Sequence, residues 1–154
     1  MKEKNKKLIK IIIILIAILL VTKSVLFIAT ERGYLSDKYN IKLPKPISEK
    51  KIFTIKFRDG QVFSMLKYNS EHKKQIIKEY KFKKINDNTI EEIKKMVERF
   101  YISLDKENEK KFDATIKKEE LIRYGNYFLI KHRPYHRFVI LIFYKNTLYV
   151  CTEI

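Results

Sequence analysis

The chain has 154 residues, with 34 Lys and Arg against 18 Asp and Glu, and a formal net charge of +16. This length predicts one small domain besides any N-terminal segment. The single cysteine, Cys151, excludes an internal disulfide framework and a cysteine-based zinc cluster. Three glycines are too few for a Gly-rich phosphate loop.

The basic excess continues beyond the N-terminal segment. From residue 43 onward there are 25 basic and 15 acidic residues, a net of +10, and residues 121–152 contain no acidic residue at all. Such a surface attracts anionic lipid, anionic wall polymer or nucleic acid. The alternative is a solvated basic surface that reflects a Lys- and Ile-rich composition and has no partner.

The N-terminal stretch IKIIIILIAILLVTKSVLFIATER, residues 9–32, is the strongest local signal. Residues 11–21 are uninterruptedly apolar, and residues 8–29 are long enough to cross a bilayer core of about 30 Å as a helix. Lys10 is near the start of this stretch and can reach the headgroups, whereas Lys23 lies deeper and is tolerated if the helix shifts so that Lys23 approaches the far interface, which shortens the spanning part. A membrane contact through residues 8–29 is therefore expected.

Three interpretations of this stretch compete. A cleaved signal peptide is disfavoured because the bulky Phe27 stands where a small residue should precede the cleavage site near Ala29, and no cysteine follows the apolar run to carry a lipid. A buried core helix is disfavoured because no polar stripe is present. We therefore expect an uncleaved signal anchor at residues 1–30, and the lysine cluster before it favours a domain outside the cytoplasmic membrane.

The connector and the domain follow. Residues 31–50 contain Pro44 and Pro46, which predict an extended, stiff juxtamembrane linker. Residues 51–154 are expected to form a basic α+β domain. Its first element is a β-hairpin, because Asp59-Gly60 separates two alternating runs. A two-residue turn would place Phe57 opposite Val62 and Phe53 opposite Leu66, with Gln61 on the wet face.

Two or three helices are predicted next. Ser70 can cap a short helix that carries Ile76, Ile77 and Tyr80. Thr89 and Glu92 fit a capping box, followed by a helical apolar face, whose members are Ile90, Ile93, Val97, Phe100, Tyr101 and Leu104. Residues 105–111 are expected to be a charged connector, and residues 112–124 are ambiguous between strand and helix.

The chain is expected to end in a three-stranded antiparallel meander. Residues 126–132, 137–144 and 147–152 are rich in aromatic and β-branched side chains. The middle run, FVILIFY, is apolar on both faces and should be a central strand that is covered on both sides. The predicted fold is α+β, with hairpin and meander in one antiparallel sheet and helices packed on a face.

A weak anion-binding site is the most specific chemical prediction. The sequence KHRPYHRF places Lys131, Arg133, His136 and Arg137 in one loop, and Arg side chains suit phosphate or carboxylate. A plain basic hairpin loop is the simpler interpretation. A metal site is not predicted, because Pro134 prevents helical alignment of His132 and His136 and the neighbouring residues are cationic.

No catalytic residues and no cofactor are predicted. Cys151 lies in a strand without a local base, which indicates a packed structural cysteine. The carboxylates of residues 91–109 are expected on a solvated face, because none is isolated in an apolar setting. Aromatic residues could stack on single-stranded nucleic acid, but their alternation indicates core, and the anchor argues against nucleic acid as the partner.

The chain also resembles a loose group of small Firmicute proteins. The similarity lies in KYNIKLPKP (residues 38–46), the hairpin, and NYFLIKHR followed by HRFVILIFYKNTLYVCTEI (residues 126–154). Members carry an N-terminal anchor or a lipoprotein signal. The resemblance implies an envelope location and a small fold of this kind, and it implies no activity.

The function expected from these features is that of a membrane-tethered, non-catalytic accessory or interaction protein of a Gram-positive-type cell envelope. Its partner would be anionic lipid, a wall polymer or a protein. The alternatives are an envelope hydrolase or transferase acting through Arg133, His136 and Arg137, an anionic-polymer-binding protein, and an immunity protein. An inward-facing domain that meets anionic lipid or nucleic acid is a further possibility.

Overall fold

The computed structural model describes residues 12–19, 21–22, 30–55, 60–134 and 137–153. The chain divides into two compact units, residues 1–43 and residues 44–154. Within the described residues, no helix combines the length and the apolar character that a membrane crossing requires. Of the predicted anchor, residues 8–29, the structure describes two helical pieces, 12–19 and 21–22, and the remaining anchor residues lie outside the described ranges.

The first unit contains a helix where an extended linker was predicted. Helix α1, Glu31–Tyr39, begins at Thr30, whose hydroxyl accepts a hydrogen bond from the Gly33 amide at 3.1 Å, and ends at Asn40 in the left-handed conformation. The prediction of an extended connector is therefore wrong for residues 31–39. Pro44 and Pro46 limit helix only in their own neighbourhood, and residues 40–46 are indeed without regular structure.

The second unit is built on one six-stranded antiparallel sheet. Its order is β1-β2-β6-β5-β4-β3. The strands are β1 Ser48–Thr54, β2 Gln61–Lys67, β3 Lys83–Lys84, β4 Tyr127–His132, β5 Phe138–Tyr144 and β6 Thr147–Glu153. The predicted α+β class, the hairpin, the meander and their union in one sheet are confirmed, with β2 joined to β6 along its whole length.

The predicted hairpin register is wrong. Phe53 lies opposite Phe63 and Thr54 opposite Val62, with an irregularity between Lys51 and Phe53. The Ile55 amide donates to the Gln61 carbonyl at 2.8 Å, so the connection is longer than two residues. Residues 56–59, including Phe57 and Asp59 of the predicted turn, lie outside the described residues.

This register changes which side chains reach the core. Phe63 shares the face of Phe53, and a one-residue change in register moves a whole strand to its other face. Gln61, expected on the wet face, is buried and donates its amide to the Ser103 carbonyl at 3.0 Å. Strand β2 is thus covered on both faces, whereas β1 has only Phe53 buried.

The central position of β5 is confirmed. All of its residues from Phe138 to Phe143 are buried, and it lies between β6 and β4. A strand that packs on both faces requires the continuous apolar run that this segment carries. Strands β5 and β6 are joined by the two-residue turn Lys145-Asn146, in which Lys145 has a φ of 53°.

Four helices follow in the second unit. They are α2 Ser70–Glu79, α3 Ile90–Ile102, α4 Lys106–Thr115 and the short α5 Lys118–Leu121. Helix α2 is capped by Asn69 rather than by Ser70, since the Asn69 side chain accepts from the His72 amide at 2.7 Å. The helix itself was predicted correctly.

The capping box at α3 is absent, although the helix begins where expected. The Thr89 side chain makes no cap hydrogen bond to the helix, and its hydroxyl instead donates to the Lys84 carbonyl at 2.8 Å. Glu92 pairs with Lys83 at 2.9 Å. The predicted apolar face is confirmed, with Ile93, Val97, Phe100 and Leu104 buried and Ile90 and Tyr101 packed against the same core.

The charged connector predicted at residues 105–111 is wrong, because this stretch forms most of α4. Asp105 caps the helix by accepting from the Asn108 amide at 2.8 Å, and Glu107 pairs with Lys111 one turn later. Phe112 fixes the helix on the core, where its ring lies 4.6 Å from that of Phe63. Capping and one buried ring thus position a helix whose exposed surface is almost entirely charged.

Candidate anion-binding site

The predicted site lies in the loop between β4 and β5. Strand β4 ends at His132 and β5 begins at Phe138, and the loop is closed by a hydrogen bond of 2.8 Å from the Arg133 amide to the Arg137 carbonyl. His136, which belongs to the predicted set, lies outside the described residues, as does Tyr135. The described part of the site therefore consists of Lys131, Arg133 and Arg137, here called the loop cluster.

The strand register places the loop cluster on one face of the sheet. Lys131 lies opposite Val139, and side chains alternate between faces along a strand. Arg133 and Arg137 continue this alternation on either side of the closing hydrogen bond, so all three basic residues belong to one face, whereas His132 belongs to the other. Arg137 is exposed, and Lys131 and Arg133 are partly exposed.

One carboxylate comes close to this loop through the fold. Glu153 lies opposite Phe138, next to Arg137 in the chain, but its carboxylate pairs with Arg99 at 3.2 Å. The guanidinium of Arg99 also lies 4.9 Å from the centre of the Phe138 ring. Among the described residues, neither Lys131 nor Arg137 has a carboxylate partner. The loop cluster remains a prediction of an anion site.

The other candidate groups have structural positions. Cys151 is buried on the core face between Phe63 and Ile140, as expected of a packed cysteine. Glu92, Asp105 and Glu107 lie exposed on the surface, where they form ion pairs or a cap. Within the described ranges, no three His, Cys, Asp or Glu residues are grouped as metal ligands.

A second cationic feature was missed by the sequence analysis. A groove of about 380 Å³ runs along α2, lined by Ser70, Lys73, Lys74, Ile77, Lys78, Tyr127 and Asn146. We call it the α2 groove. It lies at the end of the sheet opposite the loop cluster, because β4 begins at Tyr127 and ends at His132. The sequence does show three lysines within about one and a half helical turns. The fold is needed to bring Tyr127 and Asn146 next to them.

A cleft of about 340 Å³ beside α4 and α5 combines opposite charges. It is lined by Tyr101, Asp113, Lys117, Lys118 and Glu119. The Tyr101 hydroxyl donates to Asp113 at 2.8 Å, and the ammonium of Lys118 lies 3.9 Å from the centre of the Tyr101 ring. The hydrogen bond to Asp113 raises the pKa of Tyr101 to about 12. Its charges are balanced internally, unlike those of the α2 groove.

Comparisons with known proteins found no match to a family model, to a curated protein or to a solved structure.

Proposed function

We propose that this chain is a membrane-tethered, non-catalytic interaction protein of a Gram-positive-type cell envelope. In this proposal residues 8–29 are an uncleaved anchor, and the α+β domain lies outside the cytoplasmic membrane and binds an anionic component there. The partner is a lipid headgroup or a wall polymer, which the loop cluster contacts.

One observation supports the proposed membrane anchor. Residues 12–16 are helical and consecutive, so that at about 100° per residue their side chains point to every side of the helix. All five are exposed, from 47% for Ile12 to 59% for Ile13 and Leu15. A helix that is apolar on every face and packed on none of them needs a nonaqueous environment.

Thr22 supports the same environment. The single hydrogen of its hydroxyl is shared between the carbonyls of Ile18 and Leu19, each 3.0 Å from the hydroxyl oxygen. A polar side chain satisfied by its own helix leaves no group that demands water, as is suitable for a helix in lipid. The lysines at positions 2, 4, 6, 7 and 10 precede the apolar run and favour a cytoplasmic N-terminus.

The loop cluster supports an anionic partner. Its three basic residues share one face of the sheet, and the neighbouring carboxylate of Glu153 is held by Arg99. Arg side chains can give two parallel hydrogen bonds to a phosphate or carboxylate. The resemblance to anchored Firmicute envelope proteins agrees with the proposed location.

The binding part of this proposal is tested with the double variant Arg133→Ala/Arg137→Ala. Full-length protein in neutral detergent is applied to phosphocellulose, and its affinity is measured at a fixed ionic strength near 0.15 M. We expect about fivefold weaker binding, since each exposed charge contact is worth roughly 0.5 kcal/mol.

The matched control is Lys50→Ala/Lys51→Ala, which removes the same charge from two exposed positions of β1. It should change the affinity less than the loop variant does. If the two double variants lose the same affinity for phosphocellulose, net charge explains the binding and the proposed role of the loop cluster is overturned.

A further inference from the structure

The α2 groove presents one face of a helix to a wall formed by the sheet. Ser70, Lys73, Lys74, Ile77 and Lys78 follow the spacing i, i+3, i+4, i+7 and i+8, which places them on a single stripe of α2. Tyr127 of β4 and Asn146 of the β5–β6 turn form the opposite side. The groove is therefore built from three separate segments of the second unit.

This stripe is the cationic face of α2. Residues at this spacing share one face of a helix, and the face opposite the core is ordinarily polar. Here the core contact of α2 is made by Ile76, which is fully buried, whereas the stripe contains three lysines and a single apolar residue, Ile77. The cationic face is thus directed into a concave space rather than only to open solvent.

Lys73 is held in place at the inner side of the groove. Its ammonium donates to the Lys145 carbonyl and lies 5.8 Å from the centre of the Phe143 ring. Partial burial lowers its pKa from the ordinary value. An ammonium has three donors, so Lys73 keeps donors for a ligand beyond the one that the carbonyl accepts.

The positive charge of the groove is not balanced by its lining. None of the lining residues is acidic, and among the described residues neither Lys74 nor Lys78 has an ion-pair partner. These two lysines are four residues apart on the helix, a spacing at which like charges repel. A bound anion would relieve this repulsion and would be held by several ammonium groups at once.

We propose that the α2 groove binds the phosphate group of a phosphorylated polyol or sugar, with Lys73, Lys74 and Lys78 around the phosphate. Ser70 and Asn146 add neutral hydrogen-bonding groups, and Ile77 and Tyr127 supply apolar surface for the carbon skeleton. A volume of about 380 Å³ has room for more than a bare ion. This site is separate from the loop cluster and operates on either side of a membrane.

The test uses full-length protein in neutral detergent and two probes that share this chemistry. One is free sn-glycerol 3-phosphate, and the other is phosphatidylglycerol mixed into the micelles. The variant Lys74→Gln/Lys78→Gln removes two exposed ammonium groups and leaves Lys73 to maintain the local packing. We expect the unchanged protein to bind at least one probe saturably. The variant should bind that probe about tenfold more weakly or worse, because charge-assisted hydrogen bonds are lost.

The matched control is Lys94→Gln/Lys95→Gln, which removes the same charge from exposed positions of α3. If only the groove variant loses affinity for free glycerol phosphate, the ligand is a soluble phosphate ester. If only the groove variant loses affinity, and only for phosphatidylglycerol, the ligand is a lipid headgroup. Equal losses in both variants, or no saturable binding of either probe, would overturn the proposal. The loop variant Arg133→Ala/Arg137→Ala should leave saturable binding intact, which separates this result from that of the loop cluster.

Discussion

Tyr101 shows how a single surface contact changes a proton equilibrium. Its hydroxyl donates to Asp113, and this hydrogen bond, with smaller contributions from desolvation and the neighbouring charges of Glu109 and Glu119, raises the pKa to about 12. The pKa in an unfolded chain is about 10. The contact therefore contributes its full stability below about pH 10, and this contribution is lost as the pH rises towards 12.

We predict that Asp113→Asn lowers the pKa of Tyr101 towards its ordinary value, because the charged acceptor is removed. The measurement is an NMR titration of the tyrosine rings, with Tyr101 assigned by comparison with Tyr101→Phe. Asp87→Asn is a control of the same chemistry, since Asp87 accepts from Tyr124 at 3.0 Å and raises its pKa. A Tyr101 titration that is the same in Asp113→Asn and Asp87→Asn would contradict this account.

At the scale of secondary-structure elements, the sheet is joined to its helices by an aromatic cluster around Phe63. Its ring lies 4.6 Å from Phe112 of α4, 5.7 Å from Phe53 of β1 and 6.5 Å from Phe100 of α3. Phe63 is fully buried. One side chain of β2 thus connects the hairpin to two helices that follow much later in the chain.

We expect Phe63→Ala to reduce the free energy of unfolding by about 3–5 kcal/mol, through lost transfer energy and the cavity left behind. Denaturant unfolding of the full-length protein in detergent measures this change. Ile102→Ala provides the comparison, because Ile102 is 79% exposed at the end of α3 and should change stability by less than about 0.5 kcal/mol. A similar cost for both substitutions would exclude Phe63 as a centre of the core.

The elements that could be predicted are those with a complete local signal. The meander was identified because three β-rich runs are separated by breaking residues, and α3 because its apolar residues repeat at helical spacing. Helix α4 has one apolar anchor, Phe112, so its sequence resembles a solvated connector. Helix α1 was not predicted because Pro44 and Pro46 indicated an extended segment, although they restrict only residues beyond the end of the helix.

The register of the hairpin, and with it the position of Gln61, was predicted wrongly for a different reason. The alternation in β2 is correct in itself, but the register depends on the length of the hairpin connection and on the irregularity near Ile52. Neither feature has a distinctive sequence signal. The same limit applies to the α2 groove, since Tyr127 and Asn146 come near the three lysines only when the sheet is assembled.

On the scale of the whole molecule, the proposal combines an apolar tether with a basic domain. The net charge of +16 favours encounter with any polyanion, so charge alone does not select a partner. The loop cluster and the α2 groove are local arrangements at opposite ends of one sheet, and we expect that each can be changed without altering the other. Location decides which anionic partners either site can meet.

The topology of the chain is therefore the central claim to test. Ser48 is exposed on β1, and Cys151 is buried, so the variant Cys151→Ala/Ser48→Cys carries one accessible thiol. Intact Gram-positive cells that produce it are treated with a membrane-impermeant maleimide, and Cys151→Ala alone serves as the unlabelled control. The account predicts labelling of a full-length band without permeabilisation. Labelling only after the cells are permeabilised would place the domain in the cytoplasm. A labelled band shortened by about 29 residues would show that the anchor is cleaved. Either result would contradict the proposed tether.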